Sequence, residues 1–408
     1  MYSDALLTRL PKTDLHCHLD GSLRLPTLIE LARQHDVQLP SYTPEGLREL
    51  VFKPQYRDLP DYLHGFAYTC AVLRDAESIE RIAYELAQDC LAEGVCYLEV
   101  RFAPQLHARE GFSVVEVLKA VDRGLDRARR EDEATEEVKK GRPAFRYGII
   151  ACAMRMFTPG FGPYFRDLLN VLGHWPVKEV YGAASLTLAR TVVDARDRFG
   201  LPIVAFDLAG AEAGHPASDH VDAYDHCHKH FLKKTVHAGE AYGPESIFQA
   251  ITKLHADRIG HGTHLYGVDL VQVDEDPHRY VRQLSQYVAD RRILLEVCIT
   301  SNMQTMPDLR RVQDHPFGRM VEERLSVSLC TDNRLVSDTT VSRELRLAVD
   351  AFNISPAQLR RVILHGFKRS FFPGSYRDKR EYVRRVIDYY DQVAAQHGLP
   401  TVAREEQQ

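Results

Sequence analysis

The sequence predicts a closed (β/α)8 TIM barrel, an α/β fold, and three observations carry that prediction. Eight short, mainly apolar segments alternate with longer stretches of helical periodicity, the rhythm of βα units around a parallel sheet. At 408 residues and 44% hydrophobic composition the chain can bury a core of the required size. Polar residues able to do chemistry fall near the carboxyl ends of the apolar segments, where a barrel assembles its site from separate strands. A doubly wound open sheet is the alternative, but no glycine-rich dinucleotide fingerprint follows the first segment.

The first strand is expected over 13–18. The second is Gly94–Phe102, after a helical pattern through Ile79, Ile82, Ala83, Leu86, Ala87 and Cys90. Further strands are read at 146–153, Pro202–Asp207, Lys234–His237, Arg258–His261, Ile293–Val297 and Leu325–Cys330. Asp14, His16, His18, Glu99, Arg101, Asp207, His237, His261 and Asp332 are expected near or just past strand ends. One barrel over 1–408 accommodates all of this, with two excursions. Residues 36–70 form an insertion after the first strand and its helix. There Leu59, Tyr62, Leu63 and Phe66 follow an i, i+3, i+4, i+7 pattern, one face of a short helix. That face either packs on the barrel or forms an apolar lid that excludes water from a pocket. Residues 129–143 are densely charged without an apolar stripe, and read as an exposed helix and loop. Strong helical patterning over 377–395 precedes a polar end, 396–408, expected to fray.

A formal charge of −5 excludes the basic field of a nucleic-acid-binding protein. No apolar run reaches membrane-spanning length, and no opening stretch has the pattern of a signal peptide. The eight cysteines are scattered without a CxxC pair, many inside apolar runs. Buried free thiols in a reducing cytoplasm are therefore expected rather than disulfides.

The chemistry begins at Thr13-Asp14-Leu15-His16-Cys17-His18-Leu19-Asp20-Gly21-Ser22. Side chains at i and i+2 of a strand point the same way, so the His16 and His18 imidazoles can converge. Alone the pair could equally be surface histidines. Downstream, Thr235-Val236-His237-Ala238-Gly239-Glu240 offers a third strand-end histidine, with a carboxylate just past a small-residue turn. Asp332, in Leu329-Cys330-Thr331-Asp332-Asn333, can add an oxygen ligand. Three nitrogens, one oxygen and an open position suit zinc better than magnesium or calcium. A carboxylate such as Glu240 beside a metal-activated water is the right acid or base for hydrolysis. His261 stands between Gly260 and Gly262, which favours close backbone packing; His264 reads as structural or surface.

From about residue 10 to about residue 370 the chain resembles the adenosine deaminase family of metal-dependent hydrolase barrels. The resemblance is carried by Asp14–Ser22, Glu99-Val100-Arg101-Phe102-Ala103-Pro104, Asp207-Leu208-Ala209-Gly210, His237-Ala238-Gly239-Glu240, Arg258-Ile259-Gly260-His261-Gly262 and Thr331-Asp332. It implies one zinc ion per subunit, held by His16, His18, His237 and Asp332. It implies Glu240 as the donor to purine N1, with His261 orienting the attacking water and helping to accept its proton. The Gly210 amide would meet purine N3, and Asp20 the ribose 5′-hydroxyl. Leu59, Tyr62, Leu63 and Phe66 would match the apolar gate. The implied reaction is hydrolytic deamination at C6 of adenosine or deoxyadenosine, in cytoplasmic purine salvage, on a small-molecule nucleoside.

Two departures bear on the substrate. Asn333 stands where the family generally has a second acid that meets purine N7; its amide can donate there without a raised pKa. After Gly210 the run Ala211-Glu212-Ala213-Gly214-His215-Pro216 also differs, and Glu212 or His215 either shapes the ribose side or is an ordinary loop residue. Arg334 is expected in a salt bridge rather than on substrate. Aminodeoxyfutalosine, adenine and N6-substituted adenylate are the alternative substrates, although Asp20, where the adenine branch tends to carry Glu, favours a nucleoside. A non-catalytic signalling relative is opposed by the complete set of catalytic residue types.

Overall fold

In the computed structural model, residues 2–272, 276–306 and 308–400 are described. Strands β1 (Lys12–His18), β2 (Val95–Phe102), β3 (Arg146–Met154), β4 (Ile203–Ala209), β5 (Lys233–Ala238), β6 (Arg258–His261), β7 (Leu294–Val297) and β8 (Val327–Leu329) form one sheet in chain order. Every neighbouring pair is parallel. Buried on both faces, these strands read as near-continuous apolar runs because helices cover the outside and side chains fill the inside. Closure falls between β1 and the residues after β8. His18 N donates to Asp332 O and Asp332 N to His16 O, both at 2.7 Å. The backbone that shuts the barrel thus belongs to residues expected to bind metal. The eight strands of the sequence reading match the eight observed, with ends displaced by two residues at most.

The barrel interior is filled by charge as well as by hydrocarbon. Arg101 donates to Asp207 (3.0 Å) and Glu296 (2.7 Å), while Arg258 donates to Glu296 (2.7 Å) and to Glu99. The Arg258 guanidinium also lies 3.6 Å from the centroid of the Phe371 ring. All five charged groups are fully buried; each ion therefore needs its partners, because an unpaired buried charge is prohibitively costly. Two expectations are corrected here. Glu99 meets Arg258, the Tyr97 hydroxyl and the Phe371 amide, and Asp14 accepts from Thr331, so neither reaches the strand-end cluster.

The insertion after β1 contains three short helices, Pro44–Leu50, Leu59–Leu63 and Phe66–Val72. The single helix expected through Leu59 and Phe66 is observed as two, joined by a turn at His64 and Gly65 in which i→i−3 bonds replace the α-helical ladder. Asp58 caps the middle helix by accepting from Asp61 N at 2.9 Å. The charged segment 129–143 continues the helix Val114–Glu133 into a second, Glu136–Lys139. It is less exposed than expected: Asp132 is buried and accepts from Phe145 N at 2.7 Å and from Arg142. The helix Tyr376–Gln396 follows the sequence pattern; of the polar end, 401–408 lie outside the described residues. No helix among the described residues is long and apolar enough to cross a membrane. All eight cysteines are free, and seven are buried.

Candidate active site

Three imidazoles and a carboxylate converge at the carboxyl end of the barrel. One ligand atom from each of His16, His18, His237 and Asp332 lies within 4.8 Å of the other three. His18 Nε2 and His237 Nε2 are 3.1 Å apart; Asp332 Oδ1 stands 3.4 Å from His16 Nε2 and 3.5 Å from His18 Nε2. His16 Nε2 is buried without a hydrogen-bond partner. His16 Nδ1 and His237 Nδ1 each face a carboxylate, which leaves their Nε2 lone pairs turned toward Asp332 and His18, an arrangement suited to a cation. Burial, with His237 and His16 close by, holds the His18 pKa well below the ordinary imidazole range, favouring the neutral form that ligates metal. The donor set fits zinc in chemistry and number.

Two of the three imidazoles are anchored on their far side. Asp207 accepts from His237 Nδ1 at 3.1 Å, and Glu296 from His16 Nδ1 at 2.9 Å. Both carboxylates are also bonded to Arg101, so one arginine locks two ligand supports. Despite burial, Arg101 and the histidine partners keep Glu296 and Asp207 below the usual carboxylate range, hence ionised. Such partners fix ring orientation and raise ligand basicity. A Cβ at Gly260 would come within 2.9 Å of His16 Cε1, which explains glycine in that position. His261 and Asp332 both adopt positive φ, 63° and 60°, strain of the kind retained at functional sites.

Glu240 faces this cluster, its Oε1 3.6 Å from His261 Nε2. Burial and the nearby Asp332 charge push the Glu240 pKa up to about 8, so it is a protonated acid near neutrality. Its loop is suspended from Glu212, which accepts from the amides of Gly239 (2.9 Å), Glu240 (3.0 Å) and Ala241 (2.7 Å) and from the Ser246 hydroxyl. Glu212 therefore positions Glu240. Neither it nor His215 is among the cavity-lining residues; the His215 carbonyl instead accepts from Arg155, which also bonds His237 O, both at 2.6 Å.

The tautomer of His261 follows from its neighbours. His315 is buried and neutral, its pKa pushed down to about 3 by desolvation. Its Nδ1 accepts from Phe317 N at 3.1 Å, so the proton sits on Nε2 and is donated to Asn302 Oδ1 at 3.2 Å. The Asn302 amide then donates to His261 Nδ1 at 3.1 Å. Neutral His261 must carry its own proton on Nε2, aimed into the site.

A cavity of about 720 Å³ opens from this cluster and is lined by His18, Asp20, Leu59, Tyr62, Leu63, Phe66, Gly210, His237, Glu240, His261, Asp332 and Asn333, among others. Of the residues to which the family resemblance gave a role in the site, all line it except the fully buried His16. Leu59 and Tyr62 are buried; Leu63 and Phe66 are partly exposed. The Tyr62 hydroxyl bonds Ser337 at 2.7 Å and receives the Asn333 amide at 2.8 Å, which fixes part of the amide expected on N7. Arg334 pairs with Glu93 at 2.6 Å, away from substrate as expected. His264 is not among the cavity-lining residues; its backbone amide donates to Gly239 O at 2.8 Å. Sequence reading missed Glu296, Arg258, Arg155, Asn302 and His315. Glu296 and Arg258 left a signal, as charged residues within predicted strands, but their partners did not.

The fold and the site together define a closed parallel barrel with a candidate metal-binding cluster at its carboxyl end. The adenosine deaminase family model matches residues 11–159 and 178–389. An adenosine deaminase of Mycobacterium leprae is 36% identical over 371 residues, covering 90% of this chain and 92% of that protein. The chain belongs to the adenosine deaminase family and is an aminohydrolase-type enzyme. Its fold is shared by an adenine deaminase from Arthrobacter aurescens (TM-score 0.71, 22% identity, 93% of this chain and 99% of that one). It is shared also by an amidohydrolase from Burkholderia ambifaria that contains zinc (TM-score 0.74, 19% identity, 96% and 94%).

Proposed function

We propose that this enzyme hydrolyses the 6-amino group of adenosine or deoxyadenosine, giving inosine or deoxyinosine and ammonia. The observation that carries the reading is Glu240: a buried carboxyl, held in its acid form near neutrality, facing a three-histidine, one-aspartate cluster at the floor of the cavity. His16, His18, His237 and Asp332 would hold one zinc ion, which when bound supplies a Lewis acid that acidifies water near neutral pH. Glu240 then donates its proton to purine N1 as the ring is attacked at C6, so electron density does not accumulate as an isolated anion. His261, protonated on Nε2, donates toward the attacking oxygen. The expected role as proton acceptor sits poorly with this tautomer, since the ring's free lone pair is engaged by Asn302.

Around the chemistry, Gly210 would meet N3, Asn333 N7 and Asp20 the ribose 5′-hydroxyl. Asp20 Oδ1 is buried and unpartnered within the protein, which leaves it free to accept from a sugar hydroxyl. Leu63 and Phe66, with Leu59 and Tyr62 behind them, would form the lid of the catalytic barrel and keep water out. The same reading assigns the enzyme to purine salvage in the cytoplasm, where eight unpaired thiols are chemically at home.

A second reading has one observation in its favour. Arg74 and Arg109 line the cavity, and each donates to backbone carbonyls, Arg74 to Ala71 and His35, Arg109 to Leu73. Their charge suits a 6-aminopurine nucleoside with an anionic 5′ substituent, such as an adenylate or aminodeoxyfutalosine. The test is ammonia release from zinc-loaded enzyme on adenosine, deoxyadenosine, adenine, AMP and aminodeoxyfutalosine. Turnover of adenosine with little on the anionic compounds supports the first reading. Preference for the anions supports the second, and no ammonia from any, with metal occupancy verified, sinks both.

A further inference from the structure

A second group of metal-ligating side chains stands in the wall of the same cavity. Asp20, Cys70 and His107 each present a ligand atom within 4.8 Å of the other two. They come from three elements: the turn after β1, the helix Phe66–Val72, and the chain just past the 3-10 turn Pro104–Leu106 that follows β2. His107 is 1% exposed, yet neither ring nitrogen has a hydrogen-bond partner. Its Nε2 is 3.9 Å from Asp20 Oδ2, beyond hydrogen-bond distance, and Asp20 Oδ1 is orphaned too. A buried imidazole with two idle nitrogens is costly unless something else satisfies it. Asp20 and Cys70 line the cavity, which gives an ion a way in.

We propose that Asp20, Cys70 and His107 form a second divalent-metal site, selective for a borderline or soft ion of the zinc class. Thiolate, imidazole and carboxylate together match zinc, cobalt(II) or cadmium and reject magnesium and calcium. On a tetrahedral ion with bonds of about 2.0–2.3 Å, ligand atoms sit about 3.3–3.8 Å apart, so the cluster needs a contraction of about 1.5 Å at most. Burial and the neighbouring Asp20 hold the Cys70 thiol protonated. Binding therefore releases one proton from sulfur to solvent as the metal–thiolate bond forms, and tightens as pH rises.

The consequence rests on the proposed nucleoside reading. An ion here engages the carboxylate assigned to the sugar hydroxyl and ties the Phe66–Val72 helix to the barrel wall. Occupation is inhibitory, and competitive with nucleoside.

The experiment titrates the one-zinc holoenzyme with cobalt(II). The four residues of the first cluster include no thiol, so a near-ultraviolet thiolate-to-cobalt charge-transfer band reports a different site. The proposal expects a second metal equivalent with that band, loss of both in Cys70→Ser, and at least tenfold weaker binding in His107→Leu. Retention of one zinc and an unchanged melting temperature show that each variant is folded. A wild-type protein that takes up a single equivalent, or a band that survives Cys70→Ser, overturns the site. If the band is present but zinc excess leaves the apparent KM for adenosine unchanged, the inhibitory role is overturned. Complete absence of deamination would count against the proposed function alone, because stoichiometry and absorption are read without turnover.

Discussion

The carboxylate of Glu212 fixes the backbone of Glu240 through a 3.0 Å hydrogen bond, flanked by bonds to the amides on either side. The acid that would protonate the purine thus owes its position to a residue that never touches substrate. In Glu212→Gln an NH2 group faces donors where an oxygen had accepted, and hydrogen bonds to a charged group are worth about 1.5–3 kcal/mol each. We expect kcat to fall about tenfold or more, with zinc content unchanged. A variant with wild-type kcat would show that the Glu240 loop holds itself.

Glu240 predicts the basic side of the pH profile. Its pKa, raised by burial and then by Asp332 to about 8, means the proton is present below that pH and lost above it. A general acid in this state gives kcat/KM that declines as pH rises through about 8. Glu240→Gln should retain zinc, lose about 10²–10⁴ in turnover, and show no such limb in what activity remains. A persisting limb would assign the ionisation elsewhere.

How much of this was legible beforehand depended on the range of the interaction. Buried parallel strands announce themselves as apolar runs, and His16 and His18 announce a shared face by their spacing, because both are local properties. Glu296 and Arg258 are also in the strands, but their pairing joins β2, β6 and β7 across the barrel, and no window of sequence contains it. Glu212 and Asn302 are loop and helix residues whose importance comes wholly from what folds against them. The turn at His64 and Gly65 is local too, but the regular spacing from Leu59 to Phe66 obscured it.

Asp207→Asn tests the anchoring of the metal ligands. The substituted amide can still accept from His237 Nδ1, but it removes the negative charge facing both that ring and Arg101. Zinc affinity should fall about 10–100-fold, read by competition with a chromogenic chelator. Stability should fall as well, by about 3–5 kcal/mol if Arg101 is left with an incomplete set of partners. Unchanged affinity would confine Asp207 to packing.

The His315–Asn302–His261 chain makes the sharpest distinction between a donor and a base. As built, Asn302 donates to His261 Nδ1 and so keeps the His261 proton on Nε2, facing the site. Asn302→Asp reverses the first link. A carboxylate can only accept, so it draws the proton to Nδ1 and strips Nε2 of its hydrogen, or else stabilises the doubly protonated ring. If His261 works as a donor to the attacking oxygen, the neutral form of this variant should lose about 10²–10³ in kcat. Lowering the pH until the ring is doubly protonated should restore part of the loss, because Nε2 regains its hydrogen. A base would behave in the opposite way: a bare Nε2 at neutral pH would hold or raise kcat, and acid would abolish it. Imidazole nitrogen chemical shifts in the same variant would show which tautomer is present, so the kinetic result can be assigned to the proton's position rather than to a disturbed fold.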